Sequence, residues 1–186
     1  MMHRMTAAVA AIFVLIVSPA MAGDNFSSKD VENFIGVMKD LDGFEDRYPD
    51  LDTQMGIDME SPDALANIID DNGNIAIFTN MMPKMPAGPA RKEATAAIKK
   101  NGFSSVDKFA GKADSIMAAF MAIEMEGQDM SMVNSMDDAM LASMPPQVQQ
   151  QFGTIKKMIS AVGRVPASDV ETLRPLLPQL KAAMDN

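Results

Sequence analysis

Residues 104–125 read SSVDKFAGKADSIMAAFMAIEM and carry the clearest helical pattern in the chain. Apolar side chains recur there at heptad spacing, at Val106, Phe109, Ala113, Ile116, Phe120 and Ile123. Ser104 and Asp107 have the three-residue spacing of a capping box, which satisfies free N–H groups at the start of a helix. The stretch therefore predicts a long amphipathic helix with one face in a hydrophobic core.

The segments that flank this stretch follow the same periodicity, and none has a convincing strand pattern. Ser27 or Ser28 caps a first helix, which we expect to end around Tyr48. The last helix begins with a capping box at Ser168 and Glu171, and we expect it to bend at its two prolines. Several amphipathic helices with short connections predict an all-α fold, an irregular bundle of about five to seven helices.

The N-terminal segment is typical of a secretory signal peptide. Residues 1–22 start with a basic side chain, continue with an apolar run of about a dozen residues, and end in the small-x-small triplet Ala20-Met21-Ala22. The run is too short to span a bilayer comfortably, and no cysteine follows it that lipid could modify. We therefore expect cleavage after Ala22 and a soluble periplasmic or secreted product, a single domain of residues 23–186 without a membrane span.

The amino-acid composition argues against most conventional enzyme chemistry. The chain has no cysteine and only one histidine, His3, which lies in the predicted signal peptide. Ser-His-Asp sites, Cys-His sites and nearly all zinc sites therefore lack their side chains after cleavage. No phosphate loop, dinucleotide fingerprint or EF-hand spacing is present. We predict that the protein is not an enzyme, has no catalytic residues and binds no cofactor.

Charge is distributed unevenly along the chain. Of the 16 basic residues, Arg4 is lost with the signal peptide; the remaining 15 stand against 25 acids, a net charge of −10 that repels nucleic acid and anionic lipid. Residues 40–63 contain nine acids and one base, whereas residues 84–112 contain seven bases and two acids. We expect these two blocks either to face each other across the fold or to be solvated separately.

Most of the 20 methionines lie after residue 22, in rows and clusters. Two rows have a step of four residues, which places successive thioethers on one face of a helix. The first row is Met117, Met121 and Met125, the second is Met132, Met136, Met140 and Met144, and Met81, Met82 and Met85 form a further cluster. The first row widens the apolar face of its helix and is the candidate partner-binding surface. The second row is the candidate metal site.

Four explanations of the methionines stay open. Methionine is an unbranched core filler with good helix propensity. Flexible thioethers also suit an adaptable groove for proteins or peptides. They bind the soft ions Cu(I) and Ag(I), and they react with oxidants as a sacrificial side chain. The structure can separate the first three explanations. Methionines that fill a closed core indicate packing, methionines that line an open groove indicate partner binding, and three sulfurs that converge on one point indicate a metal site.

Three segments carry a family resemblance. They are residues 34–48, which begin FIGVM, residues 101–122, which begin NGFSS, and residues 170–180, which contain RPLLPQL. In these segments, about half of the mature chain, the protein resembles a loosely defined family of exported, all-helical bacterial proteins of proteobacterial type. The resemblance implies an exported all-α domain and no activity. We therefore expect a non-enzymatic protein that binds another protein of the cell envelope; the alternative is a periplasmic Cu(I)- or Ag(I)-binding protein.

Overall fold

The computed structural model describes residues 25–56, 68–128 and 145–185, and the regular secondary structure in these ranges is helical. Within these ranges no β-strand forms, and Ile69 and Ile75 make only an isolated antiparallel bridge. Five of the helices there have eight or more residues. The predicted all-α class is therefore confirmed, and the arrangement is compatible with an irregular bundle.

The helices follow one another as α1 (Ser28–Asp40), α2 (Phe44–Arg47), α3 (Leu51–Met55), α4 (Ile77–Met81), α5 (Pro89–Lys100), α6 (Val106–Met125), α7 (Pro146–Val162), α8 (Ala167–Leu173) and α9 (Leu177–Met184). Short 3-10 helices over Met82–Lys84 and Arg174–Leu176 follow α4 and join α8 to α9. None of the helices in the described ranges is long and apolar enough to cross a membrane.

The predicted long helix, α6, is the central helix of the fold. It packs against α1, α4, α5, α7 and α8, and none of its side chains between residues 112 and 123 is fully exposed. Its stripe of apolar residues forms the main core, where the Phe109 ring lies between those of Phe34, Phe78 and Phe103 at centroid distances of 5.2 to 6.0 Å. These five helices are therefore positioned in part by their contacts with α6.

The first helix begins as predicted but ends earlier. The Ser27 hydroxyl accepts a hydrogen bond from the Asp30 N–H, and the Asp30 carboxylate accepts one from the Ser27 N–H, which completes a capping box. The expected end around Tyr48 is wrong, because α1 stops at Asp40. Gly43 then takes a left-handed conformation with φ of 66°, which redirects the chain into the separate helix α2.

Two of the predicted caps are also corrected. Ser105 rather than Ser104 caps α6, since the Ser105 hydroxyl accepts a hydrogen bond from the Lys108 N–H at 3.1 Å. The capping box at Ser168 and Glu171 does not form. Helix α8 begins one residue before Ser168, directly after Pro166, so the serine lies inside the first turn and makes no capping bond.

The predicted last helix is interrupted at the first of the two prolines where we expected it to bend. Pro175 has no N–H to donate within a helix, and the chain forms a 3-10 helix at this point before α9 begins, whereas Pro178 lies in the first turn of α9. Both C-terminal helices reach the core, where Leu173 of α8 and Leu180 of α9 are completely buried.

Candidate functional site

The first methionine row runs along α6 and leaves the core towards the C-terminal end of that helix. Met117 is half-buried and packs against the main core. Met121 and Met125 are half-buried as well, but they belong to neither hydrophobic core cluster of the described residues. The row is therefore divided: all three side chains are half-buried, but only Met117 packs against a described core cluster.

Helix α7 packs against α6 and has incompletely covered apolar residues of its own. Phe152, Ile155 and Ile159 recur along α7 and are half-buried, and none of them belongs to either core cluster. We name the set of Met121, Met125 and these three α7 side chains the methionine flank. It is the part of the described chain that best matches the partner-binding surface predicted from the sequence.

The other methionine groups have different outcomes. Met81, Met82 and Met85 contribute to a second core cluster that Leu51, Met55, Ala90 and Ala94 complete, so these methionines fill space between α3 and α5. The second row, the candidate metal site, lies outside the described residues: Met132, Met136, Met140 and Met144. The role of this second row, as core, groove or metal site, therefore stays a prediction.

A buried carboxylate occupies the N-terminal half of the same α6 face. Asp114 precedes Met121 by seven residues and Met125 by eleven, and at 100° per residue both methionines project within about 20° of its direction. Only 5% of its surface is exposed. The carboxylate accepts hydrogen bonds from the backbone N–H groups of Phe78 at 2.6 Å and Thr79 at 3.1 Å. Asp114 therefore caps α4 from a neighbouring helix, and α4 covers this half of the face.

The environment of Asp114 changes its acidity. Burial raises the pKa of the carboxyl above its usual range, and the hydrogen bonds from Thr79 and Phe78 offset part of that increase. Sequence reasoning missed this residue, although a carboxylate in line with a methionine row is a visible signal. Its partners come from a segment 36 residues away, which the local pattern does not identify.

A second buried carboxylate, Asp169 of α8, fixes the start of the described chain. It is 1% exposed, and its two oxygens accept hydrogen bonds from the Asn25 N–H at 3.1 Å and the Asn25 side-chain amide at 2.8 Å. The Lys112 ammonium donates to the Asn25 carbonyl oxygen at 2.6 Å. These contacts join the segment before α1 to both α6 and α8, which accounts for the burial of Asp169 without a ligand.

Both buried carboxylates line a polar cleft of about 410 Å³, together with Asp70, Ser115 and Arg164. Asp70 accepts backbone hydrogen bonds from Asn72 and Asn74 and holds a turn in which Gly73 is left-handed. Arg164 donates to the Gly73 carbonyl oxygen. Each acid of the cleft is thus engaged by donors of the chain itself. Among the described residues no three His, Cys, Asp or Glu side chains form a group that could hold a metal ion.

The oppositely charged sequence blocks meet at two points. Lys100 of α5 pairs with Asp40 at 2.6 Å. Arg47, the one base of the acidic block, pairs with Glu93 of the basic block at 2.6 Å, and the Tyr48 hydroxyl donates to the same carboxylate at 2.8 Å. The hydrogen bonds from Tyr48 and Arg47 lower the pKa of Glu93 below its usual range. The blocks therefore touch where α1 and α2 meet α5, while most of their described charges are exposed to solvent.

Comparison with protein-family models, with characterised proteins and with solved structures gives no match to this chain.

Proposed function

We propose that the protein is an exported, non-enzymatic α-helical protein of the cell envelope that binds another protein through the methionine flank. The observation that carries this proposal is the position of Met121 and Met125, which extend the line of the buried Asp114 but lie outside both core clusters. A partner that covers Met121 and Met125 would bury the part of each thioether side chain that is still exposed. Burial of a fully exposed side chain of this size contributes about 1.5–3 kcal/mol, and a half-buried one contributes a fraction of that.

The chemistry of the flank supports a binding role. Thioether side chains are flexible and polarisable, so a methionine surface adapts to partners of different shape. The buried carboxylates of the described chain accept hydrogen bonds from its own backbone at α4 and before α1. Those side chains hold helices in place, which supports a role in association rather than in catalysis.

Polar substitution of the flank tests the proposal. Met121→Gln together with Met125→Gln keeps side-chain length and helix propensity while it removes apolar surface. The matched control is Met184→Gln on α9, since Met184 is 39% exposed and outside the flank. A photoreactive amino acid at position 121 should form covalent adducts with a single envelope protein, and one at position 184 should not. Equal labelling at both positions, or adducts that persist in the Met125→Gln background, would contradict a specific partner at the flank.

Binding of Cu(I) or Ag(I) is the competing function. Met121 and Met125 are four residues apart and half-buried, so they supply two thioethers on one helix face, and the second row offers four more. Export has its own test. The protein isolated from the envelope should begin at Gly23, and an N-terminus that retains the apolar run would contradict cleavage after Ala22.

A further inference from the structure

Helix α5 presents a basic strip on the side opposite its buried residues. Lys92 and Lys99 are exposed and lie seven residues apart, so they project in nearly the same direction two turns from each other. They and Arg91 border a shallow groove of about 510 Å³, whose other lining residues are Ala87, Gly88, Thr95 and Ala96. Four of its seven lining residues are small and uncharged, and the other three are cationic. We name it the lysine groove.

The charges of the lysine groove are not neutralised within the described chain. Lys92 and Lys99 form no ion pair with another described residue, unlike their neighbour Lys100, which pairs with Asp40. Arg91 donates only to backbone carbonyl oxygens, those of Met82 and Pro83. The part of the chain that the structure describes thus leaves this cluster of cations without acidic partners, although the protein has 25 acidic residues.

A complementary surface lies on α2, α3 and the turns before them. Five exposed acids there form no ion pair with any described residue: Asp42, Glu45, Asp46, Asp50 and Asp52. We name these five residues the acidic face. The one base among them, Arg47, is already engaged by Glu93 and by the Asp42 carbonyl oxygen. Like charges on one small surface repel each other, so a cationic partner would stabilise this face.

The two surfaces do not neutralise each other within one molecule. Arg47 and Tyr48 attach α2 to the flank of α5 that carries Glu93. Glu93 follows Lys92 directly and therefore projects about 100° away from it around the helix. The acidic face lies on the Glu93 side of α5, and the lysine groove opens in another direction. Each surface is consequently available to a second molecule.

We propose that a second copy of this chain docks its acidic face in the lysine groove. A net charge of −10 repels extended anionic surfaces such as nucleic acid or an anionic bilayer, whereas a small acidic helix brings its charges directly to the cations. At physiological ionic strength the Debye length is about 8 Å, so repulsion between whole molecules is screened while ion pairs in contact persist. The contact joins two different surfaces, and it is separate from the methionine flank.

Charge reversal with rescue tests this contact. One variant carries Lys92→Glu and Lys99→Glu, and the other carries Glu45→Lys and Asp50→Lys. Sedimentation of the wild type should show self-association at about 0.15 M salt that is lost at about 1 M salt, where the Debye length is about 3 Å. The affinity of each variant for itself should be at least about tenfold weaker than that of the wild type. An equimolar mixture of the two should associate again, because each altered surface then meets its opposite.

The controls separate this result from misfolding and from net charge. Lys108→Glu with Lys157→Glu makes the same change in charge on α6 and α7, at two exposed lysines outside the groove, and it should associate like the wild type. Circular dichroism checks that every variant is folded. A wild type that is monomeric up to about 1 mM would overturn the proposal. So would variants whose mixture stays dissociated, or a monomer that binds polyglutamate or anionic vesicles through Lys92 and Lys99.

Discussion

Replacement of Asp114 removes the group that fixes α4 on the central helix. Asp114→Ala leaves the N–H groups of Phe78 and Thr79 without their acceptor. Loss of a helix cap costs about 0.5–2 kcal/mol, and a buried donor without a partner costs about 1–3 kcal/mol. Relief of the buried charge offsets part of this cost. We expect the free energy of unfolding to fall by about 2–3 kcal/mol.

The pH dependence of the same site has a defined sign. Because the folded pKa of Asp114 is raised above its ordinary value of 3.8, the folded protein binds more protons than the unfolded chain between the two values. The linked stabilisation is complete below the unfolded pKa and is lost as the pH rises through the folded pKa. Asp114→Asn cannot titrate, so the wild type should gain stability relative to this variant as the pH falls from about 7 towards about 4.

Urea denaturation followed by circular dichroism measures both effects. Ser115→Ala is the matched control, because Ser115 neighbours Asp114 and donates only to the Gly111 carbonyl oxygen of its own helix. We expect it to change the unfolding free energy by less than about 0.5 kcal/mol. The reasoning is refuted if Asp114→Ala costs no more than Ser115→Ala, or if the wild type loses stability relative to Asp114→Asn as the pH falls.

Three further outcomes follow from other contacts. Gly36→Ala should destabilise the protein by about 1–3 kcal/mol despite its better helix propensity, because the new methyl group overlaps the Asn101 side chain; in an Asn101→Ala background, measured by the same denaturation, the cost should vanish. Asp169→Ala should lower the unfolding free energy by about 2 kcal/mol, since it removes both acceptors of Asn25, and a loss below about 0.5 kcal/mol would contradict that role. The soft-metal hypothesis predicts that the protein competes with bathocuproine for Cu(I). Replacement of Met132, Met136 and Met140 by leucine should abolish this competition.

Local chemistry predicted the start of α1 and the stripe of α6, but it placed two helix caps wrongly, at Ser104 and at Ser168. The heptad stripe of α6, the cap of α1 at Ser27 and the interruption of the last helix at Pro175 all depend on residues within a few positions of one another. The end of α1 was missed for a different reason. The aromatic rings of Phe44 and Tyr48 pack against the second core cluster, and that tertiary contact favours a chain reversal at Gly43 over continuation of the helix.

The candidate site was likewise predicted only in part. Four-residue spacing identified Met117, Met121 and Met125 as one face of a helix, which α6 confirms. Which part of that face is covered depends on neighbours from distant segments, and periodicity does not specify them. Charge blocks have the same limit: composition located the acids and bases, but the pairing of Arg47 with Glu93 required the packing of α2 on α5.

One face of α6 combines a carboxylate and thioethers because its two halves have different neighbours. The N-terminal half meets the start of α4, where unpaired N–H groups favour an acceptor, and Asp114 supplies it. The C-terminal half carries Met121 and Met125, which are half-buried and belong to neither described core cluster, so an uncharged, deformable side chain suits these positions better. A carboxylate at position 121 would lose part of its hydration, which is costly for a charge. The change from acid to methionine along this face therefore marks where internal packing ends and the surface that we propose for a partner begins.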